Sequence, residues 1–246
     1  MSEPDAGAAP PRPPEENRPP PPFGSREQAI ELGVFLFLIA PSLALSFVAG
    51  GEARVGFPVL AVATILRDLS LVGLVLFFLW RNGEPPSRIG LKRGRGAREV
   101  VIGIWLFPAL LAALALLDSL LRLLGVSPPS IPLPELSATR NALHLILAIL
   151  MVAVVAYAEE AIFRGYLMLR LQAVTGSPLA ALLLSSVVFA VGHGYEGAAG
   201  VIAVGFMGLA FGAVYLRRGN LLAPMVMHFL NDLMVLVLLP LARGGS

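Results

Sequence analysis

LILAILMVAVVAYAEEAIFR, running from Leu145 to Arg164, decides how this chain folds. From Leu145 to Ala158 it holds no charge and one polar group, the Tyr157 hydroxyl. Glu159, Glu160 and Arg164 then arrive together. So long an apolar run reads as a membrane-spanning helix. An ionised group inside such a helix costs roughly 2.5–3.5 kcal/mol on insertion scales, and by default it marks a functional site. The adjacent glutamates are the sequence's strongest indication of chemistry.

The rest of the chain supports the membrane reading. Of 246 residues, 57% are hydrophobic and only 14% charged, and the mean hydropathy is +0.80. Such values lie outside soluble globular usage. There is no cysteine, which removes disulfides, thiolate nucleophiles and cysteine metal sites. Imidazole chemistry can come only from His144, His193 or His228. The small positive excess is scattered over loops, so it argues membrane orientation and no nucleic-acid partner.

Working outward, seven apolar stretches predict an all-α, polytopic membrane bundle. They are Leu32–Val48, Val55–Trp80, Val100–Leu124, Ala142–Ala158 with a continuation, Leu179–Val191, Ala198–Leu216 and Leu221–Leu241. Most approach the ~20 residues that cross a bilayer core; the Leu179 stretch needs its flanks. With the N-terminus cytoplasmic, thirteen of the 18 basic residues fall inside, the loop Arg81 to Arg98 supplying the largest group. Arg54, Arg122, Arg140 and Arg243 fall outside and Arg67 lies mid-span, which is the bias that the positive-inside rule describes. Arg67 and Asp68 are expected to neutralise each other or face the bundle interior. Nine prolines before residue 26 make residues 1–25 a disordered or polyproline-like cytoplasmic tail, unlike a signal peptide. Residues 26–139 then hold the first helices and the basic loop, 140–241 the core with the polar motifs, and 242–246 a tail. The loop Gly125 to Arg140, with four prolines, reads as a stiff outer cap.

Polar residues inside the spans share a depth. Gly176-Ser177-Pro178 is a helix stop followed by a helix start. Glu159 lies 17 residues before Gly176 and His193 lies 17 after it, so an antiparallel hairpin sets them at one height. With Arg170 at the boundary, that height is about 16 Å deep at 1.5 Å per residue. His228, nine residues past Gly219, reaches about 14 Å. His228 and Asp232 stand four apart on one face, as do Glu160 and Arg164 in the order that favours an ion pair. Glu159 points about 100° away from Glu160, which predicts separate roles.

A carboxylate beside an imidazole can take a proton from water and direct the hydroxide at a carbonyl, while a second imidazole stabilises the oxyanion. One glutamate and two histidines are also a plausible zinc set, although no H-E-x-x-H motif is present. His144 is expected to be interfacial and inert. Tyr195 and Glu196 are expected in a loop, and Gly200, Gly205, Gly208 and Gly212 to permit close helix packing.

Glu159-Glu160-x-x-x-Arg164, Phe189-x-x-x-His193 and His228-x-x-x-Asp232 resemble, in order, the three motifs of the CAAX-protease and bacteriocin-processing (CPBP, or ABI) family of intramembrane endopeptidases. The resemblance covers about residues 140–240. It implies a helical bundle whose site opens toward the cytoplasm and laterally to lipid. It implies that Glu159 with His193 activates water, that His228 and Asp232 stabilise the oxyanion, and that Glu160 and Arg164 support the site. Family members are described both as metalloproteases and as glutamate-dependent proteases. The glutamate-dependent type is expected here, with no cofactor; zinc, if bound, would sit on Glu159, His193 and His228. Position 232 is aspartate where eukaryotic prenyl-protein endopeptidases carry asparagine, and an ionised Asp cannot donate to an oxyanion.

The expected activity is hydrolysis of a peptide bond in a hydrophobic or lipid-anchored substrate, by C-terminal or leader processing. The expected setting is a bacterial inner membrane, with membrane lipid as a further partner. Seventeen arginines against one lysine fit a GC-rich bacterial genome. The rival readings are a non-catalytic bacteriocin-immunity or scaffold protein and a proton-coupled transporter. Against the transporter stands the lack of a clear inverted repeat.

Overall fold

A computed structural model describes residues 24–46, 56–92, 96–126 and 142–243. The proline-rich tail up to residue 23 and most of the outer loop lie outside the described residues. Within them, every regular element is helical: α1 (Ser25–Ser46), α2 (Phe57–Arg81), α3 (Gly96–Leu123), α4 (Ala142–Glu159), α5 (Met168–Thr175), α6 (Pro178–Val191), α7 (Gly197–Arg218), α8 (Leu222–Asp232) and α9 (Leu239–Arg243). Two π-helical segments, Glu160–Leu167 and Leu233–Leu238, join α4 to α5 and α8 to α9. Short 3-10 turns lie at Pro86–Ile89 and Gly194–Glu196.

Six helical stretches are long and apolar enough to cross a membrane, with α6 as a shorter seventh. The chain is thus an all-helical multi-pass bundle. At 14 residues α6 extends about 21 Å, short of a ~30 Å core. The chain supplies the remainder only through the turn at Gly192–Glu196, from which α7 runs straight back.

The expected turn signals operate at both ends of this hairpin. Gly176 closes α5 with φ +69°, a conformation that suits glycine. Ser177 caps α6 by accepting a hydrogen bond from the Ala180 amide at 3.2 Å, and Pro178 opens the helix. Gly205, Gly208 and Gly212 let α7 lie against α6. A Cβ at Gly205 would stand 3.4 Å from Ala190 Cβ and one at Gly208 3.0 Å from Ser186 Cβ, while one at Gly212 would strike Leu182. Gly200 differs from expectation. It lies one turn into α7, and a Cβ there would meet the Glu196 side chain rather than another helix.

Further pairings are α3 with α8, α2 with α4, and α5 with α1 and α6. The α3–α8 contact depends on Gly103, where a Cβ would come within 2.7 Å of Ala223 O and Val226 Cβ. Phe35, Phe78, Leu79, Tyr166, Leu167 and Phe189 fill the main core. Trp80, Trp105 and Leu123 point outward, as suits a lipid-facing surface.

Ion pairs brace one end of the bundle. Glu31 of α1 receives Arg170 Nε at 2.9 Å, Tyr166 Oη at 2.8 Å and Arg81 Nη2 at 2.7 Å. Arg170 also pairs with Glu84. The residue taken from the sequence as a boundary marker is therefore wholly buried, an anchor linking α1, α5 and the turn after α2. Arg218 similarly ties α7 to Glu99 of α3, at 2.6 Å.

Candidate active site

The glutamate stretch leaves α-helical winding at its functional point. Glu159 ends α4, and Glu160–Leu167 winds as a π-helix with every side chain buried. Such segments are rare and frequent at functional sites. Gly165 within this one lets the turn after α2 approach closely, since a Cβ there would lie 2.9 Å from Ile89 O.

His228 of α8 is the hub. Its Nδ1 meets Glu160 Oε1 at 3.0 Å. On its other side, Nε2 lies 3.4 Å from Asp232 Oδ2 and 3.7 Å from Glu159 Oε2. The adjacent glutamates do diverge, as expected, yet they straddle one imidazole. The ring stacks on Phe211 of α7 with centroids 5.2 Å apart, and Phe189 of α6 approaches it edge-on.

Glu160 is committed twice. Its Oε1 also accepts from Arg164 Nη1 at 2.9 Å, a pair that is 0% and 1% exposed. The Arg164 guanidinium lies over the Phe189 ring, 4.1 Å from its centroid, and 5.3 Å from that of Phe211. Glu159 is the opposite case. It accepts no side-chain hydrogen bond among the described residues, and its Oε2, like that of Glu160, is buried without a partner.

His193 joins the layer differently from the sequence expectation. Its Nδ1 bonds Phe189 O at 2.9 Å, closing the last turn of α6. Helix C-termini leave carbonyls without intrahelical partners, and this imidazole satisfies one of them. A carbonyl only accepts, so Nδ1 carries the proton, and in the neutral form of the ring Nε2 is the acceptor. Among the described residues no hydrogen bond or ion pair links His193 to Glu159; it lies within electrostatic reach of Glu196, His228 and Asp232. The histidine beside Glu159 is His228.

Asp232 accepts a hydrogen bond from the Asn231 amide at 3.3 Å. Tyr195 and Glu196 form the turn after His193, as expected of a loop, and Tyr195 is within electrostatic reach of Glu159 and Asp232. His144 lies away from this layer, its ring 5.9 Å from that of Phe57.

No three His, Asp or Glu side chains among the described residues converge where a metal ion could be held. Glu159, His193 and His228 do not form such a group, although the Nδ1 contacts of the two histidines, to Phe189 O and to Glu160, leave Nε2 of each ring free of those bonds. No step below runs through a metal.

Sequence reasoning did not find Phe189 and Phe211 as walls of the imidazole site. Phe189 heads the Phe189-x-x-x-His193 motif, but its packing role has no sequence signal. Phe211 carries none at all, since an aromatic residue in an apolar helix reads equally well as core.

Fold and site together define a multi-pass helical membrane protein with a carboxylate–imidazole layer among its helices. Residues 141–234 match the family model described as "Type II CAAX prenyl endopeptidase Rce1-like". That segment, from α4 into the second π-segment, is similar to this family of proteases. No curated protein and no solved structure matches the chain.

Proposed function

We propose that the chain is an intramembrane endopeptidase of the glutamate-dependent type, acting on a membrane-associated protein or peptide in a bacterial inner membrane. The observation that carries this reading is the contrast between the two glutamates. Oε2 of both is buried without a hydrogen-bond partner among the described residues, but Glu160 is held through Oε1 by Arg164 and His228, whereas Glu159 accepts no side-chain hydrogen bond there. A poised, uncommitted carboxylate is what general-base catalysis requires.

In the proposed reaction Glu159 removes a proton from water as the water oxygen adds to the scissile carbonyl carbon. His228, oriented through Nδ1 by Glu160, presents Nε2–H to the developing oxyanion. At 3.4 and 3.7 Å from Asp232 and Glu159, Nε2 lies outside ordinary hydrogen-bond range of either, so the oxyanion has no strong bond to displace. The tetrahedral intermediate then collapses, the C–N bond breaks, and Glu159 returns its proton to the leaving amine. His193 keeps Nε2 as an acceptor for the attacking water. Asp232, 3.4 Å from Nε2, adds a carboxylate beside the imidazole that Glu160 orients, a role that needs no donor.

The test is Glu159→Gln, compared with wild type by mass spectrometry of protein termini in membranes. The substitution keeps volume and removes the base, which general-base contributions put at about 10²- to 10⁴-fold in rate. Precursors that accumulate only in the variant, at normal abundance of the protein, are the expected result. Identical termini at equal abundance would transfer the site to a non-catalytic scaffold or immunity role.

A further inference from the structure

Away from the candidate active site, α1 and α2 enclose a cavity of about 210 Å³ lined by Glu27, Ile30, Glu31, Val34, Phe78 and Arg81. It lies at the end of the bundle where Glu31 anchors Arg170 and Tyr166. Glu31 is 3% exposed, and both of its oxygens are engaged: Oε1 by Arg170 and Tyr166, Oε2 by Arg81 Nη2 and Asn82 Nδ2 at 2.7 Å each. The other two charged groups of the lining are open. The Arg81 side chain is 48% exposed, and its Nη1 makes no hydrogen bond among the described residues. Glu27 is exposed one turn before Glu31; its Oε2 accepts from the Gly24 amide at 2.6 Å, while Oε1 is uncommitted among the described residues.

The rest of the lining is apolar and continues onto the lipid-facing surface. Ile30, Val34, Phe37 and Leu38 are exposed at helical spacing along α1, and Phe77 and Trp80 are exposed on α2 beside Phe78 and Arg81. Trp80 next to Arg81 is the pairing of aromatic and basic residues found where hydrocarbon meets headgroups. The cavity therefore offers an occupant an apolar wall at one end, with a cation and an anion together at the other. Glu27 and Glu31 are four residues apart, so about one helical pitch, ~5.4 Å, separates the free carboxylate from the one that holds Arg81. A headgroup matched to this pair carries a negative and a positive charge joined by a short arm.

We propose that this cavity binds one phosphatidylethanolamine molecule, with its phosphate on Arg81, its ammonium on Glu27 and an acyl chain along Ile30, Val34 and Phe78. Both polar contacts are charge-assisted hydrogen bonds. Phosphatidylglycerol satisfies Arg81 but brings no cation to Glu27. Phosphatidylcholine brings a cation that donates no hydrogen bond. Arg81 also holds Glu31, and Glu31 holds Arg170 and Tyr166, so the lipid completes a chain of charges reaching α5 and the π-segment before it. The site stands whether or not the chain is a peptidase.

The experiment releases the full chain from nanodiscs holding phosphatidylethanolamine, phosphatidylglycerol and phosphatidylcholine in equal amounts, and identifies the retained lipid by native mass spectrometry. Wild type is expected to retain phosphatidylethanolamine about tenfold or more over either competitor, the selectivity that one charge-assisted bond supplies. Glu27→Gln, at an exposed position, should bring phosphatidylethanolamine down to the level of phosphatidylcholine. Arg81→Gln should lower retention of all three lipids. Val34→Trp fills the cavity, leaves both charges in place and should abolish retention. Equal retention of the three lipids, retention of none, or a preference for phosphatidylglycerol, which marks a plain basic surface, overturns the proposal. A Glu27→Gln or Val34→Trp variant that keeps the wild-type pattern overturns it as well.

Discussion

Removing Arg164 alone should do more harm than removing it together with the charge of Glu160. The pair is 1% and 0% exposed, and its 2.9 Å bond joins two charges that have no water to fall back on. Arg164→Met leaves the Glu160 carboxylate with His228 Nδ1 as its one partner, since Oε2 has none among the described residues. Breaking a buried pair from one side costs about 3–5 kcal/mol, whereas replacing both members by neutral groups of similar volume is often nearly neutral. Methionine keeps much of the contact with Phe189 and Phe211 but loses the cation's attraction to the rings, up to about 2 kcal/mol when desolvated. The double variant Glu160→Gln/Arg164→Met retains a side-chain oxygen for His228 Nδ1 and buries no lone charge. A double-mutant cycle on equilibrium unfolding in mixed micelles should therefore give a coupling energy of about 2–3 kcal/mol, the double variant being the more stable of the two that lack Arg164. Strictly additive losses, or an Arg164→Met variant within 1 kcal/mol of wild type by the ~1.4 kcal/mol-per-decade scale, would refute the buried-pair reasoning.

Four other substitutions test packing and the hub. Gly208→Leu places side-chain atoms where a Cβ would already be 3.0 Å from Ser186 Cβ and 3.2 Å from its Cα; it should cost about 1–3 kcal/mol in the same unfolding assay, and Gly205→Ala, at 3.4 Å from Ala190 Cβ, should cost far less. Equal effects would disprove the α6–α7 register. Asp232→Asn preserves shape beside His228 Nε2 and should keep initial rates of peptide cleavage within about tenfold of wild type, while Asp232→Leu should lose about 100-fold. A silent leucine variant would remove Asp232 from the site.

The all-helical membrane fold was readable because a bilayer imposes length and apolarity on every span, and stretches such as Leu145–Ala158 meet both demands. The α6–α7 hairpin was readable for a local reason: Gly176, Ser177 and Pro178 each perform the backbone task their chemistry suits. Glu160 with Arg164 and His228 with Asp232 followed from helical spacing alone. The π-segment did not; the close approach of Ile89 to Gly165 within it joins residues far apart in sequence, which helical spacing does not show. The direction in which His193 points was not legible for a related reason. Equal counts from Gly176 set His193 at the right height, but height says nothing of direction, and His193 is turned by the free carbonyl of Phe189. Arg170 looked like a surface cation because its partners, Glu31 and Glu84, arrive from other elements.

The charges around His228 also explain why two adjacent glutamates are better than one. Glu160 is matched by Arg164, and Asp68 by Arg67. Glu159 and Asp232 then share the far side of a single imidazole, at distances too long for either to hold its Nε2 firmly. One carboxylate is left over from pairing, and the pairing itself decides which. Glu160 lies on the side of Arg164 and is locked; Glu159, one residue earlier at the end of α4, is not. A single glutamate here would have to orient the histidine and accept a proton from water. The first task needs a fixed ionised partner, and the second needs a carboxylate whose charge is free to change. Placing the two on consecutive residues lets one helix supply both to opposite sides of the same ring, with Arg164 on the next turn deciding which of them is held.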